Sequence, residues 1–127
     1  MKLYRARIPA IAHDVIEKLS DAEDIEVLPE NKSEAEKDLV SIMEEYLRRD
    51  YQLRDAVKEA MANGGVSYDQ YGKMRSRLAE EWNHPTGESV AKYLARQFIE
   101  NFMISRFVEE VYAEDGILWR KTLDLVK

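Results

Sequence analysis

The chain has 127 residues, 45% of them apolar and 35% charged, with a net charge of −6, which is the size of one domain with enough apolar material for a core and long solvated faces. Five glycines and three prolines leave too few turns for an all-β fold and point to a few long elements. No cysteine is present, so disulfides, thiolate catalysis and cysteine-based zinc sites are excluded.

The first helix is expected from Pro9 to about Leu19. Proline suits the first helical position, where its missing N–H would be unpaired anyway. Ile8, Ala12, Val15, Ile16 and Leu19 then share one face. Residues 20–32 break this pattern, and Ile25, Val27 and Leu28 form a short extended piece before Pro29.

A second helix is expected from Ser33, with Glu36 three residues on completing a capping box. Ala35, Leu39, Ile42, Met43, Tyr46, Leu53, Val57, Ala60 and Met61 make one apolar stripe. Asn63-Gly64-Gly65 is a strong stop. Asp50 interrupts the stripe, so either the helix bends and Asp50 caps a new segment, or Asp50 pairs with Arg54 one turn on. One continuous helix is the reading adopted.

The third helix is expected from Ser67, with Gln70 in a second capping box and Tyr71, Met74, Leu78 and Trp82 on its buried face. Asn83-His-Pro-Thr-Gly87 ends it. The fourth helix, from about Gly87 to Asp115, is the most apolar. Ala91, Leu94, Ala95, Phe98, Ile99 and Phe102 share one side. Ile104, Phe107, Val108, Val111 and Tyr112 lie a quarter to a third of a turn away. Such a rotation requires a second partner, within the fold or on another chain, and Met103, Phe107 and Val111 mark the surface concerned. Gln97 and Asn101, one turn apart on this helix, are candidates for setting register if buried. Gly116 punctuates the end, and a short final helix docks Ile117, Leu118 and Leu123. The architecture is thus an all-α bundle of four main helices plus a short C-terminal one. It forms one domain, residues 1–127, with the long second helix packed along the central fourth.

Candidate chemistry is sparse. Glu81 and His84 form Glu-x-x-His, a spacing that puts a carboxylate and an imidazole on one inward face in di-iron bundles. It occurs once, and His84 precedes Pro85, where the helix should have ended. A loop histidine near a helix C-terminus is the plainer reading. His13 and Asp14 are adjacent and diverge by about 100° on a helix. Paired carboxylates such as Glu44–Glu45 likewise point apart, whereas acid–base work needs two across a cleft. No cofactor, no metal and no enzymatic activity are expected.

The acidic excess is confined to residues 20–47, which carry ten acidic and two basic groups. A negative chain repels polyanions at long range, which disfavours nucleic acid as a partner. Lys2, Arg5 and Arg7 with Arg48 and Arg49 nevertheless form a candidate basic patch. Tyr46, Tyr51 and Tyr68 lie on helices, with no basic interleaving of the kind single-strand binders use. The opening residues lack the apolar core of a signal peptide and no run is long enough to span a membrane, so a cytoplasmic protein with no membrane partner is expected.

The opening MKLYRARIPAIAHDVIEKL and the stretch VEEVYAEDGILWRK near the end resemble the bacterial domain-of-unknown-function family 507, over nearly the whole chain. The resemblance implies a bacterial, mostly helical protein without an established activity, and it carries no functional motif. The leading expectation is therefore a non-enzymatic protein–protein interaction module, self-associating or with an unknown protein partner, through the surface around Met103 and Phe107. The alternatives are a nucleic-acid- or ribosome-associated factor using the basic patch, and a helical metal-binding protein built on Glu81 and His84.

Overall fold

The computed structural model describes residues 1–127 as five α-helices and a two-stranded sheet. In chain order they are α1 (Ile8–Asp21), β1 (Ile25–Glu26), α2 (Lys32–Gly64), α3 (Tyr71–Glu81), α4 (Ser89–Ile104), β2 (Glu110–Val111) and α5 (Asp115–Val126). Single 3-10 turns lead into α1, α2 and α3. The all-α expectation holds.

Helix α1 buries the face read from its spacing, together with Ile11. It is closed just past its end by Glu23, a non-glycine residue at φ 60°. The Asp24 N–H donates to the Leu19 carbonyl at 2.9 Å and the Glu23 N–H to that of Ser20 at 3.0 Å. This paired closure is a Schellman turn. It turns the chain into β1, where Ile25 pairs with Val111 and Glu26 with Glu110, antiparallel. The buried Asp24 anchors this corner. Its carbonyl accepts from the Tyr112 and Ala113 N–H groups at 2.8 and 3.1 Å, and its carboxylate takes Lys121 Nζ at 2.8 Å.

Helix α2 runs unbroken for 33 residues, about 50 Å at the usual helical rise. It begins at Lys32 with no side-chain cap, and Glu36 reaches instead to His13 Nδ1 at 2.6 Å. The expected capping box at Ser33 is therefore not formed. Ser67, likewise, caps no helix through its side chain and contacts Asp69 instead. The Gly65 stop is as read: φ is 62°, and the Val66 N–H donates to Met61 O at 3.1 Å.

The long helix serves two apolar clusters. Its N-terminal half joins α1, α4 and α5 in the main core, where Leu39, Met43, Leu94, Phe98 and Leu118 are fully enclosed. Its C-terminal half packs against α3, through Leu53, Val57, Met61 and Ala79. The second half of α2 and α3 thus form a helical arm beyond the main core. Tyr71, Met74, Leu78 and Trp82 are half-buried in that arm rather than fully enclosed.

The expected extension of the fourth helix to Asp115 is corrected. Helix α4 stops at Ile104, and Ser105 is extended at ψ 132°. Ser105 Oγ accepts from the Phe107 N–H at 3.1 Å and donates to Asp38 Oδ2 at 3.3 Å, a local serine turn that competes with helix. Residues beyond it rejoin the fold through β2. The change of apolar phase at 104 therefore marks a helix end, not a helix passing between partners. Gly116, expected as a terminator, lies inside α5, which buries Leu118, Thr122 and Val126 and half-buries Leu123, while Ile117 stays exposed. Gln97 and Asn101 are half-buried.

Candidate functional site

The arm leaves the main core at Asp50, and a polar cluster fills the junction. Helix α3 ends in a second Schellman turn, in which the His84 N–H donates to Ala79 O at 2.8 Å and the Asn83 N–H to Glu80 O at 3.1 Å. Asn83 occupies the left-handed position at φ 52°, for which asparagine is the best substitute for glycine. That turn folds His84 back under α2. The His84 ring stacks on Tyr46, with centroids 4.7 Å apart and planes 9° from parallel. His84 Nε2 lies 2.9 Å from Asp50 Oδ1, the ring N–H donating because an ionised carboxylate only accepts. Arg75 Nη2, from α3, donates to the same oxygen at 2.9 Å. Tyr46 donates its hydroxyl to the Pro85 carbonyl at 2.8 Å, and Arg49 donates to the Trp82 carbonyl at 3.2 Å.

Electrostatics follow from this packing. Burial by itself would raise the Asp50 pKa, but the hydrogen bonds and charges of Arg75 and His84 outweigh it and hold the carboxyl below its ordinary value. Burial, followed by the nearby Asp50 charge, pushes the Tyr46 phenol up to about 12. Asp50 is therefore an anion and Tyr46 a neutral donor at neutral pH. The expected Asp50–Arg54 pair is not formed. Arg54 lies over the Tyr51 ring instead, 5.4 Å from its centroid.

Above this cluster opens a groove of about 770 Å³, within the range of ligand sites. One wall is α2, where Asp50, Arg54 and Lys58 follow each other at four-residue spacing, with Tyr51 beside them. The second wall carries Tyr68, Tyr71 and Arg75 at the start of α3, and the third is the N-terminal segment with Lys2, Tyr4 and Arg5. The lining thus holds five Lys or Arg side chains and one carboxylate, Asp50. Asp50 is bound to Arg75, while Lys2, Arg5, Arg54 and Lys58 enter no ion pair. Asp55 and Glu59, on the same stretch of α2, are not among the lining residues. Of the basic patch read from the sequence, Lys2 and Arg5 face this groove and Arg7, Arg48 and Arg49 do not. Arg48 is engaged by Glu45.

The whole-chain comparison agrees with the sequence resemblance: a family model described as "Protein of unknown function (DUF507)" matches residues 1–127. The chain belongs to the DUF507 family. No curated protein matches it.

The remaining candidates in this DUF507 protein are placed as follows. Met103 and Ile104 are exposed, at 54% and 84%, where α4 ends. Phe107 and Val111 are half-buried against the main core, so the three residues proposed as one surface do not share one helical face. Glu81 is exposed, and His84 turns its Nε2 to Asp50, so the Glu-x-x-His spacing does not bring its two groups to a common site. Ligand-type groups meet elsewhere: donor atoms of His13, Glu17 and Glu36 lie within 4.8 Å of one another, with Lys32 Nζ 3.4 Å from Glu17. No helix of the DUF507 protein is long and apolar enough to cross a membrane.

The groove is not legible from the tyrosines alone, because three separated segments, residues 1–5, α2 and the start of α3, meet to form it. Tyr51, Arg54 and Lys58 are three and four residues apart, as are Tyr68, Tyr71 and Arg75. That pattern, read on a helical wheel, was the available signal.

Proposed function

We propose that this DUF507 protein is a non-enzymatic binding module and that the groove between the N-terminal segment, α2 and α3 receives an anionic partner. One observation carries the reading: a chain of net charge −6 gathers four unpaired cations around one cavity whose sole carboxylate is already neutralised by Arg75. Local potential, not net charge, governs where an anion settles. A binding rather than catalytic role is supported by the closure of the Asp50–His84 pair. The His84 side chain is 2% exposed and its face is covered by Tyr46.

The test is calorimetric titration with heparin at low salt. Binding by the native chain, lost in an Arg54→Glu/Lys58→Glu variant and kept in a Lys73→Glu/Arg77→Glu variant on exposed α3 positions outside the groove, supports the reading. Equal loss in both variants sinks it.

A second reading, protein–protein contact or self-association, is favoured by Met103 and Ile104, two adjacent large apolar side chains left exposed. Light scattering across a hundredfold concentration range tests it. A monomer throughout, unchanged by Ile104→Asp, removes self-association.

A further inference from the structure

We propose that the occupant of the groove is single-stranded nucleic acid, with bases stacked on the groove's tyrosines and phosphates met by Lys2, Arg5, Arg54 and Lys58. This rests on the anion-binding reading above and adds the class of ligand.

The rings point to the class of ligand. An anion site built for inorganic phosphate needs donors and cations, and gains nothing from exposed aromatic faces. Here Tyr4, Tyr51 and Tyr68 are exposed at 56%, 44% and 80%, and all three line the cavity that holds the unpaired cations. Tyr68 and Tyr71 are themselves stacked, with centroids 5.8 Å apart and planes 21° from parallel, so Tyr68 extends a platform anchored on a half-buried ring. Lys2 and Arg54 each lie 5.4 Å from the centroid of a neighbouring tyrosine, Tyr4 and Tyr51. Without a ligand these cations cover the ring faces. A nucleotide strand offers both halves of the exchange, since a base can take the ring face while its phosphate takes the displaced cation. Aromatic platforms beside a cationic track are the recurring solution for single strands, because every base has a π-face and every linkage a charge.

A duplex fits less well, because its bases are already stacked on one another and present edges, not faces. The tyrosines also explain why the site tolerates a chain of acidic net charge. Stacking is insensitive to the long-range field, and the four cations act at contact distance, inside the Debye length of about 8 Å at physiological salt.

The experiment measures fluorescence anisotropy of labelled, mixed-sequence single-stranded RNA and DNA oligonucleotides, with the matching duplex and heparin as competitors. Expected for the native protein is tighter binding to single strands than to duplex, with log K falling against log salt at a slope of about −3 for four phosphate contacts. Tyr51→Ala and Tyr68→Ala, at exposed positions where folding is not at stake, weaken single-strand binding by about 5- to 150-fold each. Tyr51→Phe and Tyr68→Phe, which keep the ring, stay near native. Arg54→Ala/Lys58→Ala lowers the salt slope by about 1.4. If duplex and heparin bind as well as single strands and the tyrosine-to-alanine variants are silent, the inference is overturned while the anion-binding reading stands. If no polyanion binds at low salt, both fall. Comparison of the RNA and DNA arms assigns the sugar.

Discussion

Replacing Asp50 by alanine removes the acceptor that holds α3 and the following turn against α2. Two donors lose their partner, Arg75 Nη2 and His84 Nε2, both 2.9 Å from Asp50 Oδ1. Hydrogen bonds to a charged group are worth about 1.5–3 kcal/mol each. The two donors do not suffer equally. The Arg75 side chain is 28% exposed and can turn to water, so most of its share is recovered. The His84 side chain is 2% exposed and has nowhere to turn. A net loss of about 2–3 kcal/mol follows, after this discount. Asp50→Asn keeps the shape and an acceptor but not the charge, and should lose about 1–2 kcal/mol.

The damage should be local. Helix α3 is held by the small cluster of Leu53, Val57, Met61 and Ala79 and by this junction, while α1, α4 and α5 belong to the main core. Hydrogen exchange should therefore rise in α3 and residues 82–86 well before α1 or α4. Urea unfolding followed by circular dichroism measures the total. The dependence on pH has a definite sign. The Asp50 pKa is lowered from 3.8 in the folded chain, so its contribution is complete above the unfolded value and lost as pH falls through the folded one. The gap between native and Asp50→Asn should thus be full at pH 7 and close only as pH falls below 3.8 and through the lowered folded value. A loss under about 0.5 kcal/mol at pH 7, or exchange rising equally in α1 and α3, would refute the reasoning.

Tyr46, raised to about 12, should give a late step near that pH in an absorbance titration, and Tyr46→Phe should remove that step. Because its folded pKa lies above the unfolded one, its contribution is intact below about pH 10 and lost as pH rises towards the folded value. Glu23→Gly should stabilise the fold by up to about 1 kcal/mol in thermal unfolding, since Glu23 holds a left-handed φ of 60° that glycine adopts without a Cβ penalty. Phe98→Ala, at a fully buried position of the main core, should lose about 3–5 kcal/mol, whereas Ile104→Ala, 84% exposed, should stay within about 0.5 kcal/mol; urea midpoints compare the two.

How far the sequence shows the fold depends on which interactions are local. The α1 face and the Gly65 stop are legible because helical period and left-handed caps act within a few residues. The end of α4 is not. Residues 105–115 carry no glycine or proline, and their composition tolerates helix. What stops the helix is tertiary: main-chain pairing of residues 109–113 with residues 24–26 and the contact of Ser105 with Asp38. The rotation of the apolar face at Ile104 was the visible trace of that break. Asp50 shows the same limit from the other side. A carboxylate in an apolar stripe is an anomaly that sequence reveals, but a search one turn along the same helix finds Arg54. The true partners lie 25 and 34 residues away, and Asn83, through its left-handed φ, is the residue that makes the second of them reachable.

The junction and the groove are one construction. An apolar residue at position 50 would continue the α2 stripe, but it would leave Arg75 unpaired and His84 with no acceptor beneath the cavity. Asp50 instead ties α3 to α2 through charge-assisted bonds and neutralises Arg75. The other cations of the groove, Lys2, Arg5, Arg54 and Lys58, have no carboxylate partner. Tyr71 and Arg75 stand one turn apart on α3, so the bond that fixes Arg75 also fixes the ring platform against the α2 wall. Loosening Asp50 should therefore reach any ligand of the groove through the spacing of its walls, without removing a single cation from it.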